Sequence, residues 1–232
     1  LDCDHISMTL NPDVTKKVTR SSFDMIDDIY WHVLSGNQSF PVQIALKMNI
    51  PTIIWGVNGW LEQVGKFSHH DNVQMTKRIW DEFSLRNLSH KKILKKLNLK
   101  ERDIAPLIYP SLNEIYKKNL KGIYLGNYIL WDAKKQIEEM IKLYGYETID
   151  QERTHNKYEN IYCKINAGTH DLIKFSKHRY GKVVDHINRD IRFKRISRKD
   201  AMYIVKKYQN IIPEDLNTFL NWLKIPKKRF LN

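Results

Sequence analysis

Between Lys177 and Lys199 the chain carries nine Lys or Arg against two Asp, a net +7 that makes up more than half of the +13 of all 232 residues. A run this basic is usually solvated along its whole length, yet here Val184, Ile187 and Ile191 recur at helical spacing. The segment is therefore predicted to be an amphipathic helix starting near Val184, with that stripe buried. Ser197 with Asp200 then restarts the chain as a capping box. Ala201, Ile204, Val205 and Tyr208 share one face of the second helix. Clustered cations alone would point to a polyanion bound through counterion release. The spacing argues for something more particular: Asp185, Arg189 and Arg192 stand at i, i+4 and i+7, and His186 with Asp190 forms a parallel i, i+4 pair. An exposed pair of this kind contributes only about 0.2–0.5 kcal/mol, so orientation is its more useful product. A guanidinium held by a carboxylate presents its planar fork to a phosphate or carboxylate, which suits a sugar nucleotide as well as RNA. The plain alternative is a salt-bridged surface helix with His186 as a structural histidine.

The remaining composition bounds the class of protein. With 42% hydrophobic residues the chain can bury a real core. No apolar run approaches the roughly 18 residues of a membrane span, and no leader pattern opens the sequence, so a cytoplasmic location is expected. Cys3 and Cys163 have neither a disulfide framework nor metal-ligand spacing, and no metal site is expected. Opening at Leu1 rather than Met, the chain reads as a fragment of something longer.

Thr52-Ile-Ile-Trp55, entered through Pro51 and ended by Gly56, reads as a buried parallel strand. Pro41 opens a helix-like stretch before it. Helix, tight loop, strand and glycine make half of an α/β crossover unit, and ligands in such sheets lie beyond the carboxyl ends of strands, here at 56–59. An ordinary turn is the competing reading. Ser111 with Glu114 is a capping box, and Gly122-Ile-Tyr-Leu125 resembles a second strand. Asp132 can cap a helix carrying Ile137, Met140, Ile141 and Tyr144 that Gly145 closes. Lys91 to Leu97 reads as a solvated amphipathic face. The character of the chain changes near Tyr146 to Lys157; the last third is helical and ends in a helix begun at Pro213, with Leu216, Phe219, Leu220 and Leu223 inward.

Several stretches together resemble a known family. Gly181-x-x-x-Asp185-His186-x-x-Arg189-Asp190-Ile191-Arg192-x-x-Arg195-x-x-Arg198-x-x-Ala201 is similar to the C-terminal signature of the N-acetyl sugar amidotransferases of lipopolysaccharide O-antigen and nonulosonic (pseudaminic) acid biosynthesis. Tyr124 to Asp132 resembles that family's strand and Trp-Asp loop, with Leu130 where Pro is usual. Glu152-Arg153, His170-Asp171-x-x-Lys174-Phe175, Asn11-Pro12, and Pro41-x-x-x-Ala45 through Gly56-x-Asn58-x-x-x-Glu62 fit as well. Val57 departs from the Glu usual after the glycine.

The resemblance implies an α/β fold: the C-terminal part of a PP-loop ATPase (adenine nucleotide alpha-hydrolase-like, parallel sheet) over 1–150, followed by a mostly helical substrate-binding region over 151–232. The family's phosphate-binding Ser-Gly-Gly-x-Asp-Ser loop does not occur in these 232 residues, and Ser35-Gly36 is not a copy of it. The implied activity adenylylates the carbonyl oxygen of a sugar's acetamido group with ATP, after which ammonia displaces AMP and leaves an acetamidino group. Magnesium would bridge the ATP phosphates through the missing loop. Ammonia would come from a glutaminase partner through a barrel-shaped channelling subunit, and the substrate would be a UDP- or CMP-linked N-acetyl sugar. Carried onto matched positions, Gly56, Asn58, Glu62 and Asp132 would approach the nucleotide or adenylate. Asp185, Arg189 and Arg192 would hold the sugar nucleotide, with His186 a catalytic proton carrier. Two other readings stand beside this one: a PP-loop-type tRNA-modifying or RNA-binding protein, and an inactive truncated interaction module.

Overall fold

A computed structural model describes residues 3–56, 75–158, 163 and 165–228. The chain is mixed α/β and mostly helical, and divides into two units, Leu1–Trp131 and Asp132–Asn232. None of the described helices is long and apolar enough to cross a membrane.

The first unit starts with α1 (Pro12–Ile26). Asn11 caps it by accepting the N–H groups of Asp13 at 2.9 Å and Val14 at 3.3 Å, and Pro12 at the first helical position gives up no hydrogen bond that the helix could have made. The next helix, α2, spans Trp31–Met48 with Pro41 inside it, whereas the sequence suggested that Pro41 begins it. A proline here removes one ladder bond, but tertiary contacts on the opposite side hold the helix. Ser35, Ser39 and Gln43, spaced four apart, form a polar ladder onto one turn of chain. Both serines donate to the Leu107 carbonyl, at 2.8 and 3.3 Å, and Gln43 Nε2 donates to the carbonyls of Ala105 and Ile108. Ser35-Gly36 thus belongs to a helix face: a Cβ on Gly36 would sit 3.3 Å from Leu107 Cδ2. Around this ladder lie Val18, Trp31, Val42, Ile93, Ile104 and Leu107, all buried, and the indole of Trp31 donates to the Leu88 carbonyl at 2.8 Å.

β1 (Thr52–Trp55) pairs in parallel with β2 (Lys121–Tyr124), Ile53 opposite Gly122 and Trp55 opposite Tyr124. Gly122 is required by crowding, because a Cβ there would lie 2.7 Å from Met75 Cβ and 2.9 Å from Trp55 Nε1; Met75 N–H also bonds the Gly122 carbonyl at 2.9 Å. β1 is less buried than its apolar sequence suggests, with Ile54 61% exposed. Only two strands pair among the described residues. Between the strands come the short α3 (Lys77–Ile79), which runs on into a π-helical turn at Trp80–Ser84, then α4 (His90–Leu97) and α5 (Leu112–Lys117). Ile93 of α4 is buried and its four lysines are exposed. α5 has the expected reciprocal box, Ser111 N–H to Glu114 Oε2 at 3.1 Å and Glu114 N–H to Ser111 Oγ at 3.3 Å.

The second unit holds α6 (Ala133–Tyr144), α7 (Ala167–His178), α8 (Lys182–Arg192), α9 (Arg198–Tyr208) and α10 (Asp215–Leu223). Asp132 caps α6, and Gly145 closes it in the left-handed conformation at φ 64°. The apolar residues of α6 stay at the surface, Met140, Ile141 and Tyr144 among them. α8 and α9 bury Val183, Ile187 and Ala201 with Val184, Ile191, Ile204, Val205 and Tyr208 partly covered. The buried face of α8 is thus rotated toward Val183 and His186 from the stripe read in the sequence. α10 packs on α7 through Leu216, Phe219, Leu220 and Leu223.

In the first unit Thr19 Oγ1 lies 3.2 Å from His32 Nδ1, and burial lowers the His32 pKa to about 4. A histidine whose folded pKa lies below its unfolded value of 6.5 takes up fewer protons when folded. Its contribution is therefore fully present above pH 6.5 and is lost as pH falls toward 4, by up to about 3 kcal/mol. Urea unfolding of wild type and His32→Gln at pH 7 and pH 4.5 should show a smaller acid loss in the variant; equal losses would mean that His32 carries none of it.

Candidate functional site

The second unit is organised by a short polar stretch, Gln151 to Tyr158, laid against α7, α8 and the chain before α10. Arg153 and Asp171, each with a side chain 2% exposed, form an ion pair with Nε to Oδ2 at 2.8 Å. The other two guanidinium nitrogens are also engaged: Nη2 donates to the Gln209 carbonyl at 2.8 Å and Nη1 to that of Ile211, and the group lies 5.6 Å from the Phe175 ring centroid. Asp171 turns its second oxygen to the first turn of α8, accepting Lys182 N–H at 2.5 Å. Gly181 makes room for that cap, since a Cβ would stand 2.9 Å from Asp171 Oδ2. The first turn of α7 is capped in the same way from α10. Asp215 accepts the N–H groups of Gly168 at 2.8 Å and Thr169 at 2.9 Å, and a Cβ on Gly168 would lie 2.5 Å from Pro213 Cβ. Between these caps a cleft of about 130 Å³ is lined by Gln151, Glu152, Thr154, Gly168, Asp171 and Lys182, among others.

Beside the ion pair, the next two residues reach α8. Thr154 Oγ1 is 2.7 Å from His186 Nδ1, and His155 Nε2 donates to Asp190 Oδ2 at 2.8 Å. Asp190 also accepts from Arg195 Nη1 at 3.4 Å, and Arg195 continues to Asp132, the cap of α6. His155, Asp190, Arg195 and Asp132 thus form one continuous polar chain. Burial works against the Asp190 carboxylate, but the hydrogen bond and charge of His155, with Arg195, outweigh it and hold its pKa below the ordinary value. Arg195 is likewise held protonated by Asp132 and Asp190 against its own desolvation. His186, 1% exposed, has its pKa driven well below 6.5, first by burial and then by the charges of Arg189, Lys182, His155 and Lys174. The imidazole is therefore neutral at pH 7, inside a cluster of cations.

The structure distributes the residues singled out in the sequence as follows. Asp132, Asp185, His186, Arg189 and Arg192 all lie in the second unit. Asp132 pairs with Arg195, and Asp185 with Lys174 of α7. Arg189 is half-buried and close enough for its charge to act on His186, whereas Arg192 is exposed in the last turn of α8. None of these five lines the 130 Å³ cleft, whose contribution from α8 is Lys182. Gly56, in the first unit, is exposed at the end of β1; among the described residues a Cβ would meet Trp131 alone, at 3.7 Å, and its φ is not left-handed, so none of the described residues demands glycine there. Asn58 and Glu62 lie outside the described residues. Among the described residues no group of three or more His, Cys, Asp or Glu could hold a metal ion.

Sequence reasoning assigned no role to Arg153, Thr154, His155 or Asp215. The available signal was slight: Glu152-Arg153 was one of the stretches that fit the family without a role of its own, and Glu152-Arg-Thr-His is a run of hydrogen-bonding residues with no apolar periodicity, just where the chain changes character. In fold and site this unit is a helical module that buries one ion pair and surrounds a neutral histidine with cations. Its residues 152–232 match the family model described as LPS biosynthesis protein WbpG-like, C-terminal domain. The match supports a place for the chain in the WbpG-like family of lipopolysaccharide biosynthesis. No curated protein matches the chain.

Breaking a buried pair leaves an uncompensated charge and costs about 3–5 kcal/mol. Arg153→Met should therefore lose about that much in urea unfolding, because Asp171 keeps only its bond to Lys182 N–H. Asp215→Asn, which retains an acceptor for the first turn of α7, should lose much less; similar losses would show that the ion pair has no special weight.

Proposed function

We propose that this chain is the substrate-holding part of an ATP-dependent N-acetyl sugar amidotransferase acting in lipopolysaccharide biosynthesis. The observation that carries the reading is a coincidence of position. The segment similar to a lipopolysaccharide biosynthesis domain, 152–232, is also the one in which Arg189, Lys182 and Lys174 gather around a buried neutral His186. Such a cluster suits a ligand with a diphosphate, since guanidinium and ammonium groups are strong donors to phosphate oxygens.

In this reading Arg189 and Arg192 engage the diphosphate of a UDP- or CMP-linked N-acetyl sugar. Asp185 holds Lys174 on the same side, and the relay from His155 to Asp132 keeps Arg195 in place. His186 acts by position: its bond to Thr154 fixes the segment 151–158 against α8, and its burial keeps the imidazole uncharged. In the overall reaction the acetamido oxygen takes the adenylyl group of ATP, with release of pyrophosphate. Ammonia then attacks the same carbon, AMP leaves with that oxygen, and a proton is lost to give the acetamidino product. Magnesium, where it takes part, would be held largely by the phosphates of ATP. A glutaminase and a barrel-shaped channelling subunit would supply the ammonia.

The test uses the complete reading frame with ATP, ¹⁵N-ammonium and a UDP-linked N-acetyl sugar. The expected result is ¹⁵N in the sugar product with one AMP per turnover, and Arg189→Ala should raise KM for the sugar nucleotide about tenfold or more, the loss of one charge-assisted contact. KM for ATP should not move. ATP-dependent turnover with unchanged sugar-nucleotide KM would return Arg189 to the surface of a salt-bridged helix; no ¹⁵N incorporation by the complete protein would reject the amidotransferase.

A further inference from the structure

The helix α9 has two sides of different character. Ala201, Ile204, Val205 and Tyr208 pack with Val183 and Ile187 of α8. These positions follow the spacing i, i+3, i+4 and i+7, and Lys199, Met202, Tyr203 and Lys206 follow the same spacing on the opposite side of the helix. All four of the latter are exposed. Two of them are apolar or aromatic: Met202 is 52% and Tyr203 73% exposed. A single apolar side chain at a surface is ordinary, but here two neighbours stand between two lysines on one face and contribute nothing to the packing of α9 on α8.

The charge on this face has one sign. Lys199 and Lys206 form no ion pair among the described residues, and Arg198 and Lys207, also exposed, flank them. The carboxylate of the helix, Asp200, is turned back to its cap: Ser197 Oγ donates to Asp200 Oδ2 at 2.7 Å and accepts Asp200 N–H at 3.2 Å. In the first unit α4 provides a contrast. It has four exposed lysines, but its apolar residues Ile93, Leu94 and Leu97 all pack into the core, as in a helix whose outer face meets only water. On α9 the cations accompany apolar groups that the fold leaves uncovered.

We infer that this face of α9 docks on an anionic lipid surface, with the ammonium groups of Lys199 and Lys206 at the headgroup phosphates and Met202 and Tyr203 inserted between headgroups. Charge complementarity selects the surface, because a cation within a Debye length of anionic lipid is attracted to it. The long lysine stems can lie along the apolar layer while their charged ends stay in the headgroup region. Tyr203 has an apolar ring and a polar tip, the combination favoured at a membrane interface, and Met202 gains by leaving water. The docking is peripheral, since α9 has only eleven residues and cannot span a bilayer. A nucleic acid would also meet the lysines and could stack on Tyr203, but it gives Met202 no apolar surroundings. None of these side chains belongs to the cleft or to the cations around His186, so the inference is independent of the amidotransferase reading.

The test is co-sedimentation of the full chain with vesicles of equimolar phosphatidylglycerol and phosphatidylcholine, at a salt concentration of about 0.1 M. The chain should bind these vesicles at sub-millimolar lipid and pure phosphatidylcholine vesicles at least about tenfold more weakly. Lys199→Gln with Lys206→Gln should weaken binding to the mixed vesicles by about tenfold or more. Met202→Ser with Tyr203→Ser, which keeps every charge, should weaken it by a similar factor. Lys92→Gln with Lys95→Gln on α4 removes the same net charge from a face without exposed apolar groups and should change it less than about twofold. All six positions are exposed, so circular dichroism of the variants should match wild type. No binding to the mixed vesicles at millimolar lipid would overturn the proposal, as would binding that the Met202 and Tyr203 changes leave intact or that the α4 changes reduce equally. Polyuridylate bound more tightly than the mixed vesicles, through the same four side chains, would assign the face to nucleic acid and overturn it too.

Discussion

The second unit depends on the buried pair of Arg153 and Asp171. Two desolvated charges stabilise a fold only with further hydrogen bonds around them, and here each guanidinium nitrogen and each carboxylate oxygen makes at least one. Arg153 ties the segment 151–154 to the carbonyls of Gln209 and Ile211 ahead of α10, while Asp171 spends its second oxygen on the first turn of α8. One ion pair thus sets where α7, α8 and the approach to α10 lie with respect to one another. The position of α8 in turn decides what Arg189 and His186 face. Asp215 repeats the device on a smaller scale by fixing α7 to α10.

This arrangement has an electrostatic consequence. Because Asp171 and Asp215 occupy the starts of α8 and α7, those helix termini are neutralised from within and cannot hold a ligand anion. The positive potential of the unit comes instead from side chains, Lys174, Lys182 and Arg189 around a histidine that burial keeps uncharged. Burial thus keeps a group that would otherwise titrate near neutrality uncharged among these cations.

The parts legible in the sequence were those governed by local rules. The Ser111–Glu114 box, the Asp132 and Gly145 ends of α6, the Ser197 cap of α9 and the inward face of α10 all stand where spacing and capping residues placed them. Two local readings were displaced by tertiary structure. Pro41 lies within α2 because the ladder of Ser35, Ser39 and Gln43 onto residues 105–108 holds the helix on both sides of it. The buried face of α8 turned toward Val183 because Thr154 draws His186 inward.

The sequence by itself determined the helical pattern, the concentration of positive charge in 177–199 and the kinship that the domain match over 152–232 supports, since composition, caps and motifs act over a few residues. Only the tertiary structure decided which charges meet. Arg153 and Asp171 are 18 residues apart, His155 and Asp190 are 35 apart, and Asp132 and Arg195 are 63 apart. Partners at such separations follow no spacing rule. They are chosen by how the helices pack, because a buried charge settles only where packing brings it an opposite one.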